Sequence, residues 1–312
     1  MDFVYGALGL VLLLLAGDAL VRGAVNLSLR LGVPALIVSL TIVAFGTSAP
    51  ELLISVSAIL DGVPGLALGN VVGSNTANVL LVLGVPALIS PLLVKDGSTR
   101  NSYLQMIAAT VLFMVLATLG PITWVSGLIL LAALFAMIGH AAYVARCHRR
   151  DAAEDEDIEG ADPTLSGWKI AAFLIAGLIG LPLGAEILVT SSTNIARSFG
   201  VSEAAIGLTL VALGTSLPEL ATTVMAALRR QADVAFGNVI GSNMFNLLGI
   251  VGVASLFGDL PMDQKMLNFD VRVMFAVSLL LGVFVLARVN ISRLWGSVLS
   301  ALYVGYVVMV LH

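Results

Sequence analysis

Two glutamates lie in nearly identical surroundings in the two halves of the chain. LTIVAFGTSAPEL at 40–52 contains Glu51 and LTLVALGTSLPEL at 208–220 contains Glu219, and the two segments are identical at ten of thirteen positions. In each copy a threonine lies four residues before the glutamate, which places a hydroxyl and a carboxylate on the same face of a helix. The two segments therefore present two groups of oxygen donors with the same composition.

A second motif follows each glutamate. GNVVGSNTANVLLVLGV occupies 69–85 and GNVIGSNMFNLLGIVGV occupies 237–253, with ten of seventeen positions identical. Each copy has glycines that permit close contact between helices, and a serine and an asparagine four residues apart on one helical face. The neutral donors of the two motifs, with the threonines above, are Thr47, Thr215, Ser74, Ser242, Asn78 and Asn246.

Pro50 and Pro218 are expected to break the helices that carry the glutamates. Proline has no N–H, its ring crowds the carbonyl four residues earlier, and a glycine at that earlier position adds flexibility in both copies. We expect the breaks to leave the backbone carbonyls of 44–46 and 212–214 without intrahelical partners. Inside a membrane such carbonyls are tolerated only within protein or around a polar cavity, and a cation is one species that would satisfy them.

All these donors are oxygen atoms, which points to a hard cation. A site without Cys or His ligands favours Ca2+, Mg2+ or Na+ over Zn2+ or Cu2+, and irregular geometry favours Ca2+ over Mg2+. A carboxylate at the bilayer centre costs about 2.5–3.5 kcal/mol. Two glutamates neutralise one Ca2+, or most of the charge of several Na+ ions, so the protein should change its accessible face more readily loaded than empty. That is the condition for exchange.

The elements that position these residues are predicted to be membrane-spanning helices. Of 312 residues, 59% are hydrophobic and only 11% are charged, against roughly 25% charged in soluble domains. The single Cys147 excludes a disulfide framework, the three histidines share no metal-ligand spacing, and the net charge of −4 gives no sign of a nucleic-acid partner. Nothing in the composition indicates an enzyme.

We predict an all-α polytopic membrane protein, because apolar runs of the length that a spanning helix needs recur throughout the chain. The domains are a first five-helix repeat at 1–145, an acidic linker at 146–166 that is too polar to fold alone, and a second five-helix repeat at 167–312. The ten transmembrane helices are placed at 4–27, 34–60, 66–90, 101–119, 122–145, 167–193, 203–228, 234–257, 270–288 and 293–311.

Both motifs recur at an offset of 168 residues without a gap. An odd number of spans per half means that the second copy enters the membrane from the opposite side, so the sequence predicts two inverted-topology repeats. This architecture brings the two copies of a motif face to face near the midplane.

The positive charges predict the orientation. With the N-terminus outside, twelve Lys and Arg residues fall on the inner side and three on the outer side, and cationic loops remain in the cytoplasm. We therefore predict a multi-pass protein of the cell (inner) membrane, with both termini outside and the linker in the cytoplasm.

The doubled GTS-x-PE and GN-x-(V/I)-GSN-x-x-N motifs resemble those of the cation/Ca2+ exchanger superfamily, specifically the prokaryotic Na+/Ca2+ exchangers with two alpha-repeats. The resemblance covers effectively the whole chain. It implies an antiporter that exchanges Na+ for Ca2+ by alternating access, with a sliding pair formed by the first and sixth helices. Ca2+ and Na+ would be substrates in a lipid bilayer, with no cofactor, no nucleic acid and no obligate protein partner. The ion ligands that the resemblance implies are Glu51, Glu219, Thr47, Thr215, Ser48, Ser216, Ser74, Ser242, Asn78, Asn246 and the carbonyls of Ala44 and Ala212.

One departure concerns the asparagines. Some relatives carry an aspartate where this chain has Asn78 or Asn246, and the K+-dependent relatives resemble each other in using that acid, so K+ dependence is not expected here. Neither motif copy has the GN-x-x-E pattern of the H+/Ca2+ branch. The alternatives are nevertheless H+/Ca2+ or other cation antiport at the same glutamates, a cation channel, or a purely structural membrane scaffold.

Several of these residues also have plainer interpretations. The asparagines and serines of the second motif could form ordinary hydrogen bonds between helices. Ser48 and Ser216 could bond back to their own helices. Asp18 and Glu186 occupy equivalent positions in the first helix of each half, and pairing of Asp18 with Arg22 is favoured over an entrance role.

Overall fold

The computed structural model describes residues 1–94, 97–148, 165–200 and 212–311, and nearly all of this is helical. The first half contains six helices. They are α1 (Asp2–Leu31), α2 (Ala35–Thr47), α3 (Ala49–Leu60), α4 (Pro64–Ile89), α5 (Gly97–Leu119) and α6 (Trp124–His148).

The second half begins with a long helix and then, past an undescribed stretch, a short helical turn at Ala212–Gly214. The helices of this half are α7 (Gly167–Ser198), α8 (Leu217–Leu228), α9 (Ala232–Ala254), α10 (Gln264–Leu286) and α11 (Arg293–Leu311).

The described helices make this a multi-pass membrane protein. Eight of them are long and apolar enough to cross a bilayer, and the bent pair α2–α3 would supply a ninth span. The predicted helix at 203–228 lies partly outside the described residues, and so does most of the predicted linker at 146–166. The count of ten therefore stays a prediction. Within the linker, α6 continues to His148 and α7 begins at Gly167.

The centre of the bundle is formed by α9 and α4. The most apolar stretch of α9 is entirely buried and that of α4 is 72% buried, against 17% in α11, which lies at the periphery. α2 packs directly on α9, where Ser39 Oγ donates to the Val234 carbonyl at 2.6 Å. A Cβ on Gly237 would lie 2.7 Å from the Leu36 carbonyl oxygen. The glycines of the second motif thus allow the backbones of α2 and α9 to touch.

α1 and α7 form a close antiparallel pair. Asp2, at the start of α1, accepts a hydrogen bond from Asn194, near the end of α7. Halfway along, a Cβ on Gly177 would lie 2.6 Å from the Cβ of Leu20 and 2.9 Å from the Ala16 carbonyl oxygen. At this level the backbones of α1 and α7 are in contact, because Gly177 has no side chain to separate them.

One charged cluster connects this pair to the centre of the bundle. Asp18 on α1 pairs with Arg22 Nε at 3.0 Å, one helical turn away, and also with Arg229, directly after α8. The predicted pairing of Asp18 with Arg22 is confirmed. Glu186, its counterpart on α7, is exposed.

Two short antiparallel bridges connect the loops of the two halves. Leu92 exchanges backbone hydrogen bonds with Ile291, and Ile122 exchanges them with Leu260. Leu92 and Leu260 are 168 positions apart. The loops that join the outer helices to the centre are therefore fixed in a similar way in both halves.

The α1–α7 contact predicts that Gly177→Ala destabilises the protein. The added methyl would overlap α1, and overpacking of this kind typically costs about 1–3 kcal/mol. We expect a lower midpoint of thermal unfolding for the purified protein in detergent. Gly139→Ala is the matched control, because Gly139 is exposed on α6 and no atom lies within 4 Å of an added Cβ. The control should melt at or above the parent temperature, since alanine favours a helix over glycine by about 1 kcal/mol. Equal midpoints for the two variants would contradict the proposed packing.

Candidate ion-binding site

The two predicted helix breaks are present, and each lies immediately before a glutamate. α2 and α3 are bent by 42° relative to each other. Ser48, between them, has φ −86° and ψ 4°, and Ser216 before α8 has φ −89° and ψ 2°. Pro50 and Pro218 then occupy the first turn of the following helix, where a missing N–H is harmless.

The expectation for the freed carbonyls is wrong at Ala44. Its oxygen accepts the Ser48 N–H at 3.0 Å and the Thr47 hydroxyl at 3.3 Å. The backbone remains helical through Thr47, so the Ser48 N–H still points at the carbonyl four residues earlier. The break instead affects the Gly46 carbonyl, because Pro50 has no N–H to donate. A cation at the Ala44 oxygen would have to replace the Thr47 hydroxyl.

In the second copy, the equivalent carbonyl belongs to Ala212, which begins the helical turn at the edge of the described residues. Here the Ser216 N–H donates to the Leu213 carbonyl at 3.1 Å, one residue closer along the chain than in the first copy. The local geometry of the two breaks is therefore similar without being identical.

Both glutamates are buried inside the bundle. Glu51 and Glu219 are each 1% exposed. Ser48 Oγ donates to Glu219 Oε1 at 3.2 Å, so the first break contacts the acid of the second half. This hydrogen bond rules out the alternative in which the Ser48 hydroxyl bonds back to its own helix.

Two asparagines that sequence analysis did not assign hold the glutamate backbones. Asn70 Nδ2 donates to the Glu51 carbonyl and Asn238 Nδ2 donates to the Glu219 carbonyl, both at 3.3 Å. In each copy the same nitrogen also reaches a hydroxyl four residues after the glutamate, at 3.2 Å in the first copy and 3.1 Å in the second. Their signal in the sequence is the GN pair that opens both copies of the second motif.

The second motif brings further oxygens to the same place. The Thr47 hydroxyl lies 3.5 Å from the Ser242 hydroxyl and 3.3 Å from Asn238 Oδ1, an acceptor to which its one proton can turn in place of the Ala44 carbonyl. Asn246 lies in a π-helical stretch of α9, Phe245–Ile250, a distortion that is frequent at functional sites. The other predicted ligands of this group are buried or half-buried, namely Ser74, Asn78 and Thr215.

The most informative feature of the site is a set of unpaired oxygen atoms. In the described parts of the chain, seven buried side-chain polar atoms have no hydrogen-bond partner, and five of these belong to predicted ligands. Buried polar atoms are almost always satisfied, because leaving one unpaired costs about 1–3 kcal/mol or more. The five atoms are Glu51 Oε2, Glu219 Oε2, Asn78 Oδ1, Asn246 Oδ1 and Ser216 Oγ.

The chemistry of these atoms suits a cation. Four of the five are carboxylate or amide oxygens, which accept and do not donate, so they cannot satisfy one another; the fifth is the Ser216 hydroxyl. Within the described ranges, no group of three or more His, Cys, Asp or Glu side chains could hold a metal ion. The site therefore consists of two carboxylates supplemented by neutral oxygens, a composition that hard cations accept and softer metals do not require.

Comparison with known proteins identifies the family. A family model described as sodium/calcium exchanger protein matches residues 1–142 and 169–312. The chain is 34% identical to the putative antiporter CaxA of Alkalimonas amylolytica, over 97% of this chain and 96% of the relative. It is also 34% identical to the sodium/calcium exchanger MaX1 of Methanosarcina acetivorans, over 100% of this chain and 99% of the relative.

The fold is shared with a solved exchanger. A structure of the sodium-calcium exchanger NCX_Mj, soaked with zero Na+ and Ca2+, matches with a TM-score of 0.83 at 34% identity, covering 99% of this chain and 98% of that one. Together with the family model, which matches both halves, this similarity shows that the chain belongs to the sodium/calcium exchanger protein family.

Proposed function

We propose that this protein is a secondary active antiporter that exchanges Na+ for Ca2+ across the membrane by alternating access. The observation that carries the proposal is that five buried oxygen atoms of the predicted ligands, one carboxylate oxygen of each glutamate among them, have no hydrogen-bond partner. The relative in Methanosarcina acetivorans is named a sodium/calcium exchanger, and the related NCX_Mj has been studied with Na+, Ca2+ and Sr2+. The transported ions are the substrates of this site.

Charge balance explains why such a site would exchange ions and not leak them. Without a cation, the two buried carboxylates repel each other in surroundings of low dielectric constant. One Ca2+ or several Na+ ions remove that repulsion. A change of access is therefore easiest with ions bound, which couples outward movement of Ca2+ to inward movement of Na+.

The inverted repeat is the architecture that we propose for this mechanism, with ten helices in two groups of five. Its support is that α1 and α7, which begin the two halves, pack antiparallel. In addition, Asn70 and Asn238 make equivalent hydrogen bonds to Glu51 and Glu219. Two repeats of opposite sense can exchange conformations to open the same site first to one side and then to the other.

We further propose the cell (inner) membrane as its location, with both termini outside and the linker at 146–166 in the cytoplasm. The positive charges are distributed twelve to three in favour of this orientation. The structure adds that Arg22 and Arg229 pair with the same Asp18 carboxylate, so these two arginines lie on one side, as the orientation requires.

Glu51→Gln and Glu219→Gln should each abolish Ca2+ transport while the protein still folds. Glutamine keeps the shape of the side chain but removes half the formal charge of the site. The measurement is 45Ca2+ uptake by proteoliposomes, together with size-exclusion chromatography of the purified variants. Asp61→Asn is the control, because Asp61 is an exposed acid directly after α3, and it should transport like the parent. Near-normal uptake by either glutamate variant would remove the site assignment.

Counterflow should identify the coupled ion. The vesicles are loaded with Na+ and held at constant pH. An outward Na+ gradient is expected to drive 45Ca2+ uptake at least tenfold above that of vesicles with equal Na+ on both sides. A tenfold ratio corresponds to only about 1.4 kcal/mol of driving force. Uptake that follows a pH gradient and ignores Na+ would instead indicate H+/Ca2+ exchange. Uptake that persists without any cation on the opposite side would indicate a channel.

A further inference from the structure

Four buried asparagines of the second motif connect α4 to α9. Asn78 Nδ2 donates to Asn243 Oδ1, and Asn246 Nδ2 donates to Asn75 Oδ1, both at 3.0 Å. Asn75 and Asn243 are 168 positions apart, as are Asn78 and Asn246, so the two hydrogen bonds are equivalent under the repeat. Each predicted ligand asparagine is thus held by an asparagine of the opposite half.

The hydrogen bonds of Asn75 determine whether the oxygen or the NH2 group of the Asn246 side chain points away from Asn75. An amide side chain accepts at one end and donates at the other, and a half-turn exchanges them. Asn75 Nδ2 donates to the main-chain carbonyl of Asn243 at 3.3 Å, and a carbonyl can only accept. Asn75 must therefore direct its oxygen to Asn246. Asn246 in turn must direct its nitrogen to Asn75, which leaves its own oxygen free.

The same argument applies to Asn78 with a different anchor. Asn243 Nδ2 lies 3.6 Å from the sulfur of Met106, which is an acceptor only. The oxygen of Asn243 consequently faces Asn78, which must present its nitrogen. In both cases the series of hydrogen bonds ends on an atom that only accepts, the Asn243 carbonyl oxygen or the Met106 sulfur. The amides of Asn246 and Asn78 therefore cannot reverse without losing a hydrogen bond.

The free ends of these two amides are the atoms that a cation needs. Asn78 Oδ1 and Asn246 Oδ1 are both buried without a partner in the structure. A reversed amide would present its NH2 group, which repels a cation. Reversal would therefore remove an ion ligand and put a repulsive group in its place.

We propose that Asn75 and Asn243 are positioning residues for ion binding, which hold the amides of Asn246 and Asn78 with their oxygens towards the site. The proposal deepens the proposed function and rests on it. Neither residue has an unpaired buried atom of its own in the structure. Their contribution is to select one of the two orientations of a neighbouring ligand.

The test compares Asn75→Ala in two backgrounds of the full-length protein, the parent and Asn246→Asp. In the parent background, the Ca2+ concentration for half-maximal 45Ca2+ uptake should rise roughly 10–100-fold, as it does when residues that orient metal ligands are removed. In the Asn246→Asp background, both ends of the side chain are oxygen, so reversal no longer removes the ion ligand, and the Asn75 oxygen faces another acceptor. There, Asn75→Ala should raise the half-maximal concentration by no more than about twofold.

The comparison separates orientation from packing. If Asn75 only filled space, its removal would weaken Ca2+ binding equally in both backgrounds, and that result would overturn the inference. An unchanged affinity in the parent background would overturn it as well. Ser278→Ala is the control: Ser278 is 2% exposed on α10 and its hydroxyl donates to the Met274 carbonyl of the same helix. It should leave the affinity unchanged.

A second pair of variants guards against misfolding. If Asn75→Ala does not fold, Asn243→Ala with and without Asn78→Asp makes the equivalent comparison, and Ca2+-dependent thermal stabilisation of the purified protein replaces uptake as the measurement. A parent protein that responds to neither Ca2+ nor Na+ overturns the proposed function together with this inference. A parent that responds, with an equal loss in both backgrounds, overturns the inference alone.

Discussion

Two carboxylates of the same charge lie in the interior of an apolar bundle, and one of them accepts a hydrogen bond from the helix break that precedes the other. The cost of burying both charges is the constraint on which the rest of this structure depends. Hydroxyl and backbone donors relieve part of it, as Ser48 does at Glu219. They cannot supply positive charge. The arginine ion pairs in the described part of the chain lie elsewhere, between Asp18 and both Arg22 and Arg229. Positive charge must therefore come from outside the protein, as the bound cations of the proposed function would supply it, and a site that is costly when empty suits exchange.

The frame around the carboxylates serves this purpose in two ways. The helix breaks at Ser48 and Ser216 allow the backbone to turn towards the site at a small cost: the Gly46 carbonyl loses its helical bond, and Ser216 bonds three residues back instead of four. The glycines of α9 allow α2 to approach until the backbones touch. The placement of the oxygen atoms thus depends on a contact between the backbones of α2 and α9, which any residue larger than glycine would prevent. By contrast, α1 and α7 contact each other along their whole lengths, which makes them a natural unit to move as one.

The two halves use the same residue types in slightly different ways. Ser48 donates to a glutamate, whereas the Ser216 hydroxyl has no hydrogen-bond partner. Asn75 donates to the backbone of Asn243, whereas Asn243 donates to Met106. A repeat with internal symmetry would give equal sites in both halves. The structure is therefore a single conformation in which the two halves are arranged differently, and the proposed alternating access needs such an asymmetry.

The sequence by itself determined the class of protein, the repeat and the chemistry of the site. Apolar run length indicated spanning helices, the constant offset of 168 related Glu51 to Glu219, and Pro50 and Pro218 located the breaks, because these features act through local backbone physics. Only the tertiary structure decided which groups form hydrogen bonds with each other. It showed that the Ala44 carbonyl keeps its helical bond, that Asn70 and Asn238 hold the glutamate backbones, and which end of each amide faces the site. Such choices depend on atoms that are distant in the chain, and the orientation of an amide leaves no trace in residue type or spacing.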